Sequence, residues 1–158
     1  MDLLNGPTRC LLVRPAFSGD TFYDMEEVCQ MLGVASAAPP LGLLTVAALL
    51  PEHWQLRCVD EDVEPLSDAD VAWADIVMIS GLASQQFTMR AIIERAHAHG
   101  KLTVVGGPGP TLEPDLLPEA DFVVIGEAED TLPRLLADLA QGRTSGRYRS
   151  QHKADMSC

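Results

Sequence analysis

The chain has 158 residues, of which 47% are hydrophobic and 22% are charged, and its formal net charge is −12. One sizeable core can form at this length, and the charged fraction is typical of a folded globular protein. The excess of acids argues against binding to a nucleic-acid backbone or to an anionic membrane surface, because both require basic residues.

Neither a membrane span nor a secretory signal is predicted from the hydropathy pattern. The longest apolar stretch, Leu41 to Leu50, is about half of the roughly 20 residues that a bilayer-spanning helix needs. Residues 1–7 lack the basic start and apolar core of a signal peptide. We therefore expect a cytoplasmic protein.

The cysteines are scattered and are expected to be free thiols, with Cys10 and Cys58 inside buried strands. Neither a Cys-x-x-Cys pair nor a Cys/His cluster with metal-ligand spacing occurs in the sequence. The sequence accordingly predicts no local metal site.

Short apolar runs bounded by turn formers or acids predict five strands that are buried on both faces. The runs are Cys10–Val13, Leu56–Val59, Ile76–Ser80, Leu102–Val105 and Phe122–Ile125.

Helices are predicted between these strands from apolar residues at helical spacing. They cover Gly42 to Leu50, Gln85 to His99 and Thr131 to Ala140. The long connection from Arg14 to Pro40 shows only a possible short helix around Tyr23 to Leu32. Connections of this length are usually functional or mobile.

Alternation of strands and helices predicts parallel crossovers, hence a flavodoxin-like (Rossmann-like) three-layer α/β fold. We expect a five-stranded parallel sheet of order 2-1-3-4-5. One domain should span residues 1–142, and the polar, basic residues 143–158 should form a linker or tail.

Small residues follow three neighbouring strands of the predicted sheet. The loops are Ser80–Gln86, Gly106–Pro110 and Gly126–Asp130. Because parallel strands end at one edge, these loops should meet there and leave a slot for a flat or elongated ligand. Any one of these glycines could equally serve a tight turn, but three adjacent loops favour a ligand slot.

Several nucleotide-binding and signalling classes are disfavoured by the motifs. No G-x-G-x-x-G follows the first strand, and no G-x-x-x-x-G-K-[ST] occurs. A receiver-like regulator is poorly supported, because Arg14 and Pro15 follow the first strand instead of an acidic pair.

The three loops together resemble the N-terminal cobalamin-binding domain of B12-dependent radical SAM proteins. The matching residues are Ser80-x-Leu82, Gly106-Gly107-Pro108 and Gly126-Glu127-x-Glu129, and the resemblance covers roughly Arg9 to Gly142. Pro39-Pro40-Leu41-Gly42 is similar to the helix entry seen in that family.

This resemblance implies that the nucleotide tail of cobalamin lies between strands three to five and their helices. The cofactor-binding residues that it implies are Leu41, Gly42, Ser80, Gly81, Leu82, Gln85, Gly106, Gly107, Pro108, Gly126, Glu127 and Ala128. Acids at positions 127, 129 and 130 would also stabilise the start of the last helix.

Two departures from related proteins shape the expected chemistry. The Asp-x-His-x-x-Gly motif, whose histidine binds cobalt from below in many cobalamin enzymes, is absent after the first strand. His53, His97, His99 and His152 lie elsewhere, which implies base-off cobalamin without a histidine ligand. Either the Arg14 to Pro40 loop or the Leu82 to Gln85 segment should cover the lower face of the cobalt.

The Cys-x-x-x-Cys-x-x-Cys motif of radical SAM enzymes is also missing. The 4Fe–4S cluster and S-adenosylmethionine would therefore belong to a catalytic domain in cis or in trans, and this chain should not be catalytic alone. Two functions stay open: the cofactor-carrying module of a radical SAM methyltransferase, or a stand-alone cobalamin or small-ligand module acting as a sensor or interaction domain.

Overall fold

A parallel six-stranded sheet organises residues 8–17, 26–34, 36 and 38–151, the part of the chain that the computed structural model describes. The strand order is β2-β1-β3-β4-β5-β6. The strands are β1 (Arg9–Arg14), β2 (Gln55–Asp60), β3 (Ile76–Ser80), β4 (Leu102–Gly106), β5 (Phe122–Ile125) and β6 (Gly146–Arg149). The start of the expected short helix at Tyr23 and the expected tail from residue 152 lie outside the described residues.

Helices connect the strands and cover both faces of the sheet. They are α1 (Glu26–Leu32), α2 (Leu41–Leu49), α3 (Asp68–Trp73), α4 (Gln86–Ala98), α5 (Pro108–Leu112) and α6 (Ala128–Ala140), with a 3₁₀ turn at Ala83–Gln85. The flavodoxin-like class is thus confirmed, as are the five predicted strands. Helices α3 and α5 were not predicted, because six and five residues are too short for a periodic pattern.

The strand count of five is corrected to six, because β6 comes from the segment that was expected to be a tail. Only Tyr148 of β6 is buried, and its ring lies 6.3 Å from that of Phe122. Its hydroxyl donates to Asp138 Oδ2 of α6 at 2.7 Å, and burial together with this carboxylate raises the pKa of Tyr148 to about 12. One apolar residue between two exposed arginines carries almost no strand signal in the sequence.

Two apolar clusters lie on opposite faces of the sheet, as the alternation of side chains along each strand requires. On one face, Val77 and Ile79 of β3 pack with residues of α4 such as Met89 and Ile93. The other face contains Leu12, Met78 and Val104 together with Leu43 of α2 and Leu132 of α6. The second face also carries the candidate site.

Cys58 is exposed, which corrects the expectation that it lies in a buried strand. Its strand, β2, is at the edge of the sheet, and only Val59 of that strand is buried. Cys10 on the central strand β1 is buried, and burial raises the pKa of its thiol to about 12.

Replacement of Tyr148 by alanine tests the contribution of β6 to the fold. We expect Tyr148→Ala to lower the free energy of unfolding by about 2–4 kcal/mol, since it removes a buried ring. Arg149→Ala, in the same strand but exposed, should change it by less than about 0.5 kcal/mol. Urea denaturation measures both values. Equal effects of the two substitutions would contradict the packing of β6 on β5.

Candidate functional site

A cleft of about 530 Å³ opens above the carboxyl ends of β3, β4 and β5, between α2 and α6. Its volume is in the range of small-molecule sites in proteins. The lining residues include Gly42, Leu43, Thr45 and Val46 of α2, Met78, Ser80, Val104, Gly106 and Val124 of the sheet, Gly107, Pro108, Thr111 and Leu112 at α5, and Gly126, Glu127, Ala128, Glu129 and Leu132 at α6.

The floor of the cleft is set by the register of the parallel strands. Met78 pairs with Val104 across β3 and β4, and Ser80 pairs with Gly106. Residues two apart along a strand share a face, so all four positions belong to the face that carries the cleft. Gly106 pairs with Ser80 of β3 and lies against Val124 of β5, and its missing side chain leaves a gap in the floor.

Gly106 differs from Gly107 and Gly126, two further glycines that follow the ends of β4 and β5. A Cβ atom on Gly106 would approach nothing closer than 3.5 Å, at Val124 Cβ, which is an ordinary contact. Its backbone is not in the left-handed region. The absence of a side chain at this position is therefore not required by the protein's own packing.

The backbone conformation and the close contacts of the fold require glycine at Gly107 and Gly126. Their φ values are +91° and +90°, a region that side chains rarely adopt. A Cβ atom would lie 2.6 Å from Ser80 Oγ at Gly107 and 2.8 Å from Ser150 Cβ at Gly126. At these two positions the tight-turn interpretation accounts for glycine without a ligand.

A smaller pocket of about 170 Å³ adjoins the cleft. Arg14, Leu41, Gly81, Leu82 and Gln85 line it, and it shares Gly42, Leu43, Ser80 and Pro108 with the cleft. All twelve residues that the resemblance implied line one or both of these pockets.

The side-chain amide of Gln85 forms hydrogen bonds within the protein. Its side chain is 3% exposed, its Oε1 accepts from Leu82 N at 2.9 Å, and its Nε2 donates to the carbonyl of Pro15. These bonds tie the segment after β1 to the turn after β3. Gln85 therefore positions the pocket wall, and both ends of its amide already have partners.

Sequence reasoning missed Arg14, which organises the approach to α2. Its Nη1 donates to Ser36 Oγ and to the Ala38 carbonyl, each at 3.1 Å. It also pairs with Asp60 at 3.0 Å and Asp62 at 2.7 Å. The signal that could have indicated this role was an arginine directly after a buried strand, where an unpaired charge is unfavourable.

Helix α6 begins at the mouth of the cleft without a side-chain cap. Glu127 and Glu129 are exposed there, while Asp130 Oδ2 accepts from Gln151 N at 2.7 Å. On the opposite side, Thr111 Oγ1 accepts from Gly126 N at 3.0 Å and holds α5 against the turn after β5. Ser80 lies between these walls, and its hydroxyl forms no hydrogen bond to any residue that the structure describes.

The histidines of the described residues lie away from the two pockets. His53, His97 and His99 line neither of them, and His97 Nε2 lies 3.0 Å from Asp121 Oδ2. His152 lies outside the described residues. Within the described ranges, no group of three or more metal-ligating side chains is present and no helix has the length and apolarity to cross a bilayer.

A parallel α/β sheet with an apolar cleft at its carboxyl edge defines a flavodoxin-like ligand-binding domain. Residues 30–136 match the family model of the B12 binding domain. The chain therefore belongs to the B12-binding domain family.

Several curated proteins similar to this chain are named as methyltransferases or as a methylase. An uncharacterised methyltransferase of Synechocystis sp. is 41% identical over 94% of this chain and 28% of its own length. The hopanoid C-2 methylase of Rhodopseudomonas palustris is 37% identical over 85% of this chain and 25% of its own length. A bacteriochlorophyllide d C-12(1)-methyltransferase of Chlorobaculum tepidum is 26% identical over 83% of this chain. The chain thus spans between a quarter and a third of the length of these three relatives.

The cleft fits part of a cobalamin molecule. Its buried lining is apolar, Gly106 opens the floor, and the Ser80 hydroxyl is available for a hydrogen bond. Such a lining suits the narrow nucleotide tail with its aromatic base, because an apolar ring gains by leaving water and one polar atom finds a partner.

Gly106→Ala and Gly107→Ala form a matched pair that separates the open glycine from the strained one. We expect Gly107→Ala to lower the free energy of unfolding by about 1–3 kcal/mol, since it combines positive φ with a clash against Ser80 Oγ. Gly106→Ala should change that free energy by less than about 0.5 kcal/mol. Urea denaturation of the ligand-free protein tests this.

By the same reasoning, Gly107→Val would destabilise the fold as well as fill the slot. A loop position is not tolerant when its backbone has positive φ and a neighbouring backbone segment lies in contact. Equal stability of the two alanine variants would contradict this assignment of the glycines.

Proposed function

We propose that the chain holds base-off cobalamin and serves as the cofactor-carrying domain of a B12-dependent radical SAM methyltransferase. The observation that carries the proposal is the apolar cleft at the carboxyl edge, opened by Gly106, in a member of the B12-binding domain family. Relatives named as methyltransferases support methyl transfer as the reaction.

Cobalamin, when bound, supplies a cobalt centre that can carry a methyl group to an acceptor. The residues of this chain bind and orient it. Met78, Val104 and Val124 offer an apolar surface to the tail, and Ser80 offers a hydrogen bond. A tail held in the cleft would keep its base away from the metal, and the cofactor would then be in the base-off state.

If the tail is bound in the cleft, residues of the two pockets would lie near the lower face of the cobalt. No histidine of the described residues lines either pocket, so the proposal includes a cobalt without a histidine ligand. The Leu82 to Gln85 segment, held by the Gln85 side chain, and the loop from Arg14 to Pro40 are the two candidates for covering that face. Residues 18–25, 35 and 37 of that loop lie outside the described residues.

A catalytic partner domain is part of the proposal. The resemblance assigns the 4Fe–4S cluster and S-adenosylmethionine to a radical SAM domain, in cis or in trans, and the relatives are about three to four times as long as the matched region. Substrate specificity would belong to that domain, and a cytoplasmic location would suit its chemistry.

Titration with hydroxocobalamin, followed by its absorption spectrum, tests the binding site. We expect saturable binding with a base-off spectrum and at least tenfold weaker binding by Gly106→Val, because its side chain fills the floor of the cleft. Ala140→Val, exposed at the far end of α6, is the control and should bind like wild type.

Electron paramagnetic resonance of the bound cob(II)alamin tests the ligand state. The spectrum should lack the threefold nitrogen splitting that an axial nitrogen produces. Absence of saturable binding would reject the proposed function, whereas binding with an axial nitrogen signal would reject the base-off, histidine-free state alone.

A further inference from the structure

The buried and exposed parts of the cleft lining differ sharply in polarity. The buried side chains that line it on the face of α2 and α6 are all apolar: Leu43, Met78, Val104, Val124 and Leu132, each 8% exposed or less. The polar lining residues Thr45, Glu127 and Glu129 are exposed. A group that enters the cleft therefore passes from a polar mouth to an apolar floor.

Few hydrogen-bonding groups are available near the floor. Thr45 Oγ1 donates to the Leu41 carbonyl at 3.1 Å, and Thr111 Oγ1 accepts from Gly126 N. The floor strands bond to one another through their backbone ladders. Among the described residues, this leaves the hydroxyl of Ser80 as the polar side-chain group next to the floor with no partner in the protein.

Corrinoids differ in the base that ends the nucleotide tail, and the cleft distinguishes these bases by polarity. A 5,6-dimethylbenzimidazole released from cobalt has one free ring nitrogen and two methyl groups. Adenine has further ring nitrogens and an exocyclic amino group, and these would lose water without gaining partners on an apolar floor.

We propose that this cleft selects corrinoids with a benzimidazole-type lower base over corrinoids with an adenine lower base. The inference rests on the proposed function, since it takes the tail to lie in the cleft. The single free nitrogen of the benzimidazole matches the single available hydroxyl of Ser80. Val104, Val124 and Leu132 then contact the methylated edge and set the selectivity.

Equilibrium titrations with three corrinoids test the proposal: cobalamin, the adenine-containing cobamide, and cobinamide, which lacks the nucleotide and its base. We expect the adenine compound to bind at least tenfold more weakly than cobalamin, and cobinamide to bind more weakly than cobalamin as well. Equal or tighter binding of the adenine compound overturns the selectivity while leaving the proposed function intact. If no corrinoid binds, the proposed function and the selectivity both fail.

A nearly isosteric substitution tests whether the side chains of the floor determine the selectivity. Val124→Thr replaces a methyl group of the floor with a hydroxyl, which can bond to adenine. The dissociation constant of the adenine compound divided by that of cobalamin should therefore fall by about threefold or more. Val63→Thr, 54% exposed and outside both pockets, is the matched control and should leave the ratio unchanged. Circular dichroism checks that both variants are folded, and Val104→Thr replaces Val124→Thr if the latter is not. An unchanged ratio in a folded floor variant contradicts the assignment.

Discussion

The register of β4 between β3 and β5 is the constraint on which the rest of the structure depends. It places Gly106 beside Ser80 on one side and against Val124 on the other. Because side chains alternate between faces, a shift of one residue would move Gly106 to the other face and close the gap. The apolar layer of Met78 and Val104 below fixes this register, since both residues are buried on the same face.

Glycines at the sheet edge fall into two physical classes with different consequences. Gly107 and Gly126 hold turns that bring Gly81 and Ser150 into contact with the strand ends, so they shape the rim of the cleft. Gly106 is under no such constraint, and what it provides is space. Gly106, which the fold does not require, therefore favours a ligand-binding role for the cleft.

Polar side chains hold the loops around the cleft in place. Gln85 joins Pro15 to Leu82 from a buried position, and Arg14 joins the end of β1 to Ser36, Ala38 and the acids after β2. Buried polar groups with partners define one arrangement, because any alternative leaves them unsatisfied. These residues position the walls of the two pockets.

The sequence by itself determined the five apolar strands, the three longer helices and the edge at which the site lies, because continuous apolar runs and helical periodicity are local signals. Tertiary structure decided what depends on neighbours distant in the chain. Tyr148 makes β6 a strand through contacts with Phe122 and Asp138, and the edge position of β2 exposes Cys58. Which glycine is strained and which leaves space was likewise decided by strand register and by the approach of Ser80 and Ser150, neither of which a local pattern encodes.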